Sequence, residues 1–169
     1  IEHRGAIPLE LRPLIGAHIF GCDICQEVCP VNLVAERRLR ASGRIGAGDR
    51  LEFRPRALVG SSPELIPLLA LDEAAFRERF SHSPIKRAKR RGLLRNVCVA
   101  LGNIGDPAAI PALITALGDA EPLVRGHAAW ALGRLGGTAA RAALVATLAN
   151  DAEPSVRAEA QQALDATRE

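Results

Sequence analysis

Three of the four cysteines of this chain lie within eight residues of one another. They are Cys22, Cys25 and Cys29, and Pro30 follows the last of them directly. Thiolates are the ligands of soft metal centres, and such short spacings allow one turn of backbone to present several sulfur atoms to one centre. A cubane iron–sulfur cluster takes four thiolates, so a cluster here needs at least one ligand from elsewhere. The segment predicts a metal or iron–sulfur site.

The spacing favours iron–sulfur chemistry. The pattern C-x2-C-x3-C-P matches the last three cysteines and the proline of ferredoxin-type runs, C-x2-C-x2-C-x3-C-P. In two-cluster proteins of that type, the cysteine before the proline binds the other cluster. The first cysteine of the run is absent from this chain. Cys22, Cys25 and Cys29 are therefore the predicted metal ligands.

Two other interpretations of the cysteines compete with a cluster. His18 lies four residues before Cys22, so His18 and the three cysteines could form a closed Cys3His zinc site. A disulfide is disfavoured, because the local cysteine count is odd and no segment looks like a secretory signal. The zinc site remains the alternative to iron–sulfur chemistry.

The composition predicts a helical protein. The 169 residues are 48% hydrophobic and only 3% aromatic, and Ala and Leu are abundant, which favours a core of close-packed helices. No run reaches the ~18 apolar residues of a membrane-spanning helix, so we expect no membrane partner. There is no methionine, and the chain opens at Ile1 with no targeting pattern. We expect it to begin partway through a longer protein.

A strongly basic segment follows Ser83 and Pro84, which are typical of a helix N-cap and first helical residue. Residues 85–95 contain six cations and no anion. A helix that is merely exposed usually mixes both signs of charge, so the segment indicates contact with a polyanion, for which a phosphate backbone is the natural candidate. A solvated helix face is the simpler alternative. The predicted phosphate contacts are Lys86, Arg87, Lys89, Arg90 and Arg91.

The rest of the chain repeats itself. Ala100-Leu101 recurs as Ala131-Leu132 and as Ala163-Leu164, so the period is 31 to 32 residues. Within each unit the apolar residues follow helical spacing, which is the pattern of an α-solenoid of helix pairs. Only about two full units are present, fewer than the usual three, so we expect the solenoid to rely on the preceding helices. Cys98, Trp130 and His127 are predicted to be structural residues within these helices.

Several short sequences occur here in an informative order. They are IEHRG at 1–5, IP at 7–8, ELRPLIG at 10–16, FGCDICQEVCP at 20–30, SPIKRAKRRGLLRN at 83–96 and ALGN at 100–103, with the helical repeats behind them. Together they resemble epoxyqueuosine reductase. The resemblance implies HEAT-like repeats. The predicted fold is all-α, with a partial ferredoxin-like 4Fe-4S segment at 1–52, a helical connector at 53–82, and a basic helix with a HEAT-like solenoid at 83–169.

The resemblance also implies an activity. Members of this family are cobalamin-dependent enzymes that reduce epoxyqueuosine to queuosine in tRNA, using two 4Fe-4S clusters and an external electron donor. By analogy, Cys22 and Cys25 would hold the cluster of their own motif and Cys29 would reach the other cluster. The cobalamin domain and its proton donor would precede Ile1, so no catalytic residue is assigned to this chain. We expect a cytoplasmic monomer, and an inactive protein when this part is isolated.

Two further hypotheses come from other classes of protein. The first is a non-enzymatic binding module, in which a zinc ion held by His18 and the cysteines stabilises a short HEAT-like scaffold. It predicts colourless protein, whereas the iron–sulfur interpretation predicts brown, oxygen-sensitive protein once the missing cysteines are restored. The second is a ferredoxin-like subunit that serves a different reductase, which leaves the basic segment and the repeats without a purpose.

Overall fold

The computed structural model describes residues 3–42 and 63–167, and every regular element within them is helical. No β-strand occurs in these ranges, which confirms the all-α prediction. Four short 3-10 helices span Leu9–Leu11, Ile66–Ala70, Pro84–Ala88 and Pro107–Ala109. The α-helices are α1 (Arg12–Ile15), α2 (Ile24–Glu27), α3 (Pro30–Ala41), α4 (Glu73–Phe80), α5 (Lys89–Ile104), α6 (Ile110–Ala116), α7 (Pro122–Leu135), α8 (Thr138–Asn150) and α9 (Pro154–Ala166).

The contacts within the chain define two compact units. One combines Ile1–Phe20 with Glu64–Glu169, and the other is Gly21–Pro63. This grouping differs from the three consecutive segments expected from the sequence, because residues before Phe20 are bonded to helices late in the chain. The expected boundary at residues 52 and 53 lies outside the described residues.

The helices that follow Asp72 and Ser83 each begin at a capping side chain, and the one at Ser83 begins where the sequence predicts. The Asp72 carboxylate accepts a hydrogen bond from the Ala75 amide at 2.7 Å and caps α4. The Ser83 hydroxyl accepts from the Ile85 amide at 3.3 Å, with Pro84 next in the chain. Both residues supply an acceptor for an amide that has no partner inside the helix. Among the described residues, no helix is both long and apolar enough to cross a membrane.

Helices α5, α7 and α9 pack side by side and form the centre of the repeat region. A Cβ atom at Gly102 would lie 3.1 Å from the Cα of Ala131, and one at Gly133 would lie 2.9 Å from the Cα of Ala163. The missing side chain therefore lets each helix approach the next closely. Helices α6 and α8 complete the pairs by packing on α7 and α9 respectively. The solenoid prediction is confirmed by this arrangement.

The turns that begin α7 and α9 share one hydrogen-bonding pattern. Asp119 accepts from the Glu121 amide at 2.9 Å, and Asp151 accepts from the Glu153 amide at the same distance. Arg125 donates to both oxygens of the Asp151 carboxylate, from Nε at 2.8 Å and from Nη2 at 2.9 Å. The hydrogen bond from Arg125 lowers the pKa of Asp151 despite burial. Arg125 of α7 therefore joins its repeat to the next one.

Cys98 and Trp130 are structural residues, as predicted. Cys98 is fully buried in α5, and burial raises the pKa of its thiol. A protonated, buried thiol is a small apolar group rather than a metal ligand. Trp130 is half-buried on α7, and the Arg12 guanidinium carbon lies 5.5 Å from the centre of its ring.

Candidate functional site

Residues 3–20, which we call the strap, are held against the repeat helices by polar side chains. Arg95 of α5 donates from Nη1 to the carbonyls of His3 at 3.0 Å and Gly5 at 2.7 Å. Asn96 and Asn103, also on α5, donate to carbonyls of the strap as well. The partners are Ile19 at 2.8 Å for Asn96, and Arg12 at 2.8 Å and Gly16 at 2.9 Å for Asn103. Helix α5 therefore holds the strap along its length, up to three residues before Cys22.

Two further anchors are buried. Arg12 is 1% exposed, donates from Nε to the Ile7 carbonyl at 2.8 Å, and binds both oxygens of Glu159 on α9. The ring of His127 on α7 accepts from the Ile7 amide at 3.1 Å, while its Nδ1 lies 2.8 Å from the Leu123 carbonyl. Burial, assisted by the positive charge of Arg12, lowers the pKa of His127 to about 3. His127 is therefore neutral and structural, as predicted from the sequence.

The cysteine segment forms two consecutive helices. Cys25 lies within the short helix α2, and Cys29 is the residue before Pro30, which opens α3. The backbone at Gly21 and Asp23 adopts positive φ angles of 65° and 53°, so the chain turns sharply on both sides of Cys22. Cys22 and Cys25 are exposed, Cys29 is half-buried, and all three are free thiols. The fourth thiol, Cys98, belongs to the repeat core.

The donor chemistry of these cysteines fits an iron–sulfur cluster only in part. Thiolate sulfurs are the correct ligand type, and exposed thiols can take part in a ligand set completed from elsewhere. Among the described residues, however, no group of three or more His, Cys, Asp or Glu side chains is placed to hold a metal ion. Nor does His18 form such a group, and its Nδ1 lies 3.0 Å from the Ile15 carbonyl. Both the cluster and the zinc interpretation stay predictions.

The basic segment is not one continuous helix. A 3-10 helix spans Pro84–Ala88, and α5 begins at Lys89, whose φ is 59°. A positive φ is rare for a lysine because its Cβ crowds the backbone. In one continuous helix, Lys86 would share a face with Arg90, and Arg87 with Arg91. Here each pair is divided between the 3-10 helix and α5. The bend divides the cations between two elements.

The cations of this segment differ in their surroundings. Arg90 donates from Nε to the Leu71 carbonyl at 2.6 Å and binds Asp119, and its side chain is 15% exposed. Burial tends to raise the pKa of Asp119, but the hydrogen bonds from Arg90 and the Glu121 amide outweigh it, and the pKa is lowered. Lys86 and Lys89 are exposed. Arg91 is half-exposed and lies 3.9 Å from a Glu121 oxygen.

An open groove adjoins this segment. Its volume is about 660 Å³. Residues from three parts of the chain line it, namely Asp72, Glu73, Lys89, Arg90, Arg91, Ala120 and Glu121. We call it the basic groove, although carboxylates contribute to its rim. The bend at Lys89 places consecutive cations of the segment at this concave surface.

The polar anchors of the strap were not predicted from the sequence. Asn96 and Asn103 are seven residues apart, so they lie on one side of α5. Each interrupts a run of apolar residues. A polar side chain on a packed helix needs a hydrogen-bond partner, so this interruption indicates that Asn96 and Asn103 each bind another part of the chain. The identity of the partner depends on residues about 80 to 90 positions earlier. Spacing patterns within a short segment cannot identify a partner so far away in the sequence.

Comparison with known proteins identifies relatives of this chain. Residues 86–165 match the family described as HEAT repeats. Epoxyqueuosine reductase of Pseudomonas aeruginosa is 45% identical over 141 residues, covering 82% of this chain and 36% of that protein. The Bacillus subtilis enzyme is 31% identical over 165 residues, covering 97% of this chain and 40% of that protein. The chain thus spans well under half of these relatives.

The fold agrees with the sequence comparison. A crystal structure of epoxyqueuosine reductase with a tRNA-Tyr epoxyqueuosine-modified tRNA stem loop superposes with a TM-score of 0.83 at 28% identity. The match covers 99% of this chain and 42% of that chain. These findings confirm the resemblance drawn from the sequence: the chain is a relative of the epoxyqueuosine reductases, similar to about two fifths of their length and carrying HEAT repeats.

Proposed function

We propose that this chain provides the RNA-binding repeats and part of the iron–sulfur ligand set of an enzyme that reduces epoxyqueuosine to queuosine in tRNA. The observation that carries the proposal is the similarity, in sequence and in fold, to epoxyqueuosine reductases, one of which is known with a tRNA stem loop. The reaction consumes reducing equivalents, so an external electron donor is a required partner. The protein acts as a monomer.

The basic segment supports RNA binding. Lys86, Lys89 and Arg91 carry their charges at the surface. Contacts from such side chains to phosphate oxygens hold RNA without regard to base sequence. Arg87 remains a candidate contact. Arg90, in contrast, is occupied by Asp119 and Leu71, so we assign it to the fold rather than to phosphate.

The cysteines support a redox role. When bound, 4Fe-4S clusters would supply electrons one at a time to a cobalamin held by other parts of the enzyme. Cys22 and Cys25 would serve the cluster of their own motif, and Cys29 would serve the other. This chain contributes thiolates on short helices, and the surrounding enzyme completes each ligand set. The role of the chain's own residues is therefore to bind clusters and to orient RNA.

Binding of RNA tests the first part of the proposal. The affinity of the purified chain for a tRNA-Tyr stem loop is measured by fluorescence anisotropy across a salt series, for the wild type and for a variant with Lys86, Lys89 and Arg91 all changed to Glu. We expect the wild-type affinity to fall steeply with salt, and the variant to bind weakly with a shallower salt dependence. Equal affinities for the two proteins would contradict the assignment.

Metal content tests the second part. The chain is joined to the preceding part of the enzyme that carries the missing cysteines, purified without oxygen, supplied with iron and sulfide, and compared with a variant in which Cys22, Cys25 and Cys29 are all Ser. We expect iron, acid-labile sulfide and brown colour in the wild type only. Colourless protein that instead carries one zinc per chain, lost when His18 is changed to Ala, would favour the zinc-stabilised binding module.

A further inference from the structure

One cation of the basic segment is committed to the fold. Arg90 connects three elements, since it lies at the start of α5, donates to Leu71 before α4, and binds Asp119 before α7. Its side chain is 15% exposed, and that of Asp119 is 7% exposed. A guanidinium that already holds a carboxylate and a carbonyl has little capacity left for phosphate. Arg90 therefore fixes the position of its neighbours.

The neighbour on one side, Lys89, is held in an unusual conformation. Its φ of 59° and ψ of 164° lie in a region that residues other than glycine rarely adopt. Such a conformation persists only where the surrounding structure enforces it, and the bonds of Arg90 do so here. The consequence is that the Lys89 side chain lines the basic groove. Within the described residues, the side chain of Lys89 forms no hydrogen bond or ion pair, while its backbone amide donates to the Lys86 carbonyl.

The carboxylates of the basic groove are not equally available. Asp72 caps α4 through the Ala75 amide at 2.7 Å. Glu73 accepts from Nε of Arg77 at 3.1 Å. Glu121 is held less firmly, because its nearest cation, Arg91, is 3.9 Å away and the two side chains are 40% and 41% exposed. Of the carboxylates that line the groove, Glu121 is therefore the one held least firmly, and Arg91 is the cation with which it pairs.

We propose that the basic groove binds a phosphate of the RNA backbone between Lys89 and Arg91, and that Glu121 weakens this binding by competing for Arg91. This inference rests on the proposed RNA-binding function and assigns separate roles within it. An exposed ion pair at 3.9 Å contributes little stability and is easily displaced. A guanidinium binds phosphate through two parallel hydrogen bonds, so exchange of Glu121 for phosphate is favourable.

The test compares three single variants with the wild type, all as the full 169-residue chain. The variants are Glu121→Gln, Lys89→Gly and Arg141→Ala. Arg141 is the matched control, because it is an exposed arginine on α8, six residues after the end of α7, whereas Glu121 precedes the N-terminal end of α7. Affinity for a tRNA-Tyr stem loop is measured by anisotropy at several salt concentrations.

Removing the competing carboxylate should strengthen binding. We expect Glu121→Gln to bind the stem loop about two- to five-fold more tightly at low salt, as expected for release of an exposed ion pair. The gain should disappear when Arg91→Gln is combined with it, because Arg91 is the group that Glu121 restrains. An increase in affinity cannot result from misfolding, so this readout separates the proposed role from a structural one.

Removing the lysine should weaken binding in a characteristic way. Lys89→Gly deletes one phosphate contact, so the slope of log affinity against log salt should become shallower by roughly 0.7 to 0.9. Glycine accepts the positive φ at this position, so the melting temperature should stay the same or rise. Arg141→Ala should leave both the affinity and the slope unchanged.

The outcomes separate this inference from the function on which it rests. Binding by the wild type with no gain in Glu121→Gln, or with an unchanged slope in Lys89→Gly, overturns the role of the basic groove and leaves RNA binding intact. Failure of the wild type to bind the stem loop at any salt concentration overturns both. A change in Arg141→Ala equal to that in Lys89→Gly would show that total charge, and not the groove, determines the affinity.

Discussion

The strap and the cysteine segment adjoin in sequence but differ in how they are held. In the strap, Arg12 is 1% exposed and Ile7 is 6% exposed, and the strap is bonded to side chains of α5, α7 and α9. In the cysteine segment, Val28 is 66% exposed and Val31 is 74% exposed. Helices this short bury too little apolar surface to be stable alone. The strap is therefore stabilised by its bonds to the repeats, whereas residues 21–42 depend on ligands or contacts outside themselves.

The largest effect should come from removing the central anchor of the strap. Arg12→Ala leaves Glu159 without its partner and removes the bond to Ile7. Breaking a buried pair of this kind costs about 3–5 kcal/mol, so urea denaturation should show a large fall in the free energy of unfolding. Arg37→Ala, on the exposed face of α3, is the matched control and should change stability by less than about 0.5 kcal/mol. Equal effects of the two changes would show that the strap is not anchored as described.

The helix surface to which the strap binds can be disturbed separately. Gly133→Ala places a Cβ atom 2.6 Å from that of Ala163, so α7 and α9 must move apart. Overpacking of this kind costs up to about 3 kcal/mol, measurable by thermal or urea denaturation. Gly92→Ala, on α5, meets only Ala88 at 3.7 Å and should stabilise the protein slightly. Destabilisation of both variants alike would argue against close helix approach at Gly133.

A change of pH should loosen the strap through His127. Its folded pKa is lowered to about 3, so below the unfolded value of about 6.5 the unfolded chain binds a proton that the folded chain does not. Stability is therefore complete above pH 6.5 and falls by about 1.4 kcal/mol per pH unit below it, or about 2 kcal/mol by pH 5.

The control for this effect is His127→Asn. It should be less stable than the wild type at neutral pH but should lose less stability between pH 6.5 and pH 5. Asp119 and Asp151 have lowered pKa values, so they contribute to the pH dependence only at greater acidity. Parallel stability curves for the wild type and the variant over this range would assign the pH dependence to other groups.

The smallest effect should come from the cysteines. Changing Cys22, Cys25 and Cys29 to Ser alters exposed or half-exposed side chains outside the unit formed by the strap and repeats. In metal-free protein, the main unfolding transition should shift by less than about 0.5 kcal/mol. The measurement is urea denaturation followed by Trp130 fluorescence, because that residue reports on the repeat region. A loss of several kcal/mol would mean that the two regions fold as one.

Much of the repeat region could be predicted from the sequence because its signals are local. Helical spacing, proline at helix starts and the capping residues Asp72 and Ser83 act within a few residues, and the helices begin where these signals indicate. The bend at Lys89 could not be predicted this way. It depends on Arg90 binding Asp119, which lies 29 residues later, and local propensity alone favours a continuous helix.

In the candidate site, too, some features follow from the local sequence and others from contacts between distant residues. The types and spacing of Cys22, Cys25 and Cys29 identify thiolate ligands, and the charges of residues 86–91 identify a surface suited to polyanions, because both properties reside in the side chains themselves. Only the tertiary structure shows that Arg90 is used by the fold and that Lys89 and Glu121 line the same groove. Likewise, only the structure assigns the strap to the repeats. Those outcomes depend on which distant groups meet, and contact between distant residues is fixed by packing of the whole chain rather than by any stretch of it.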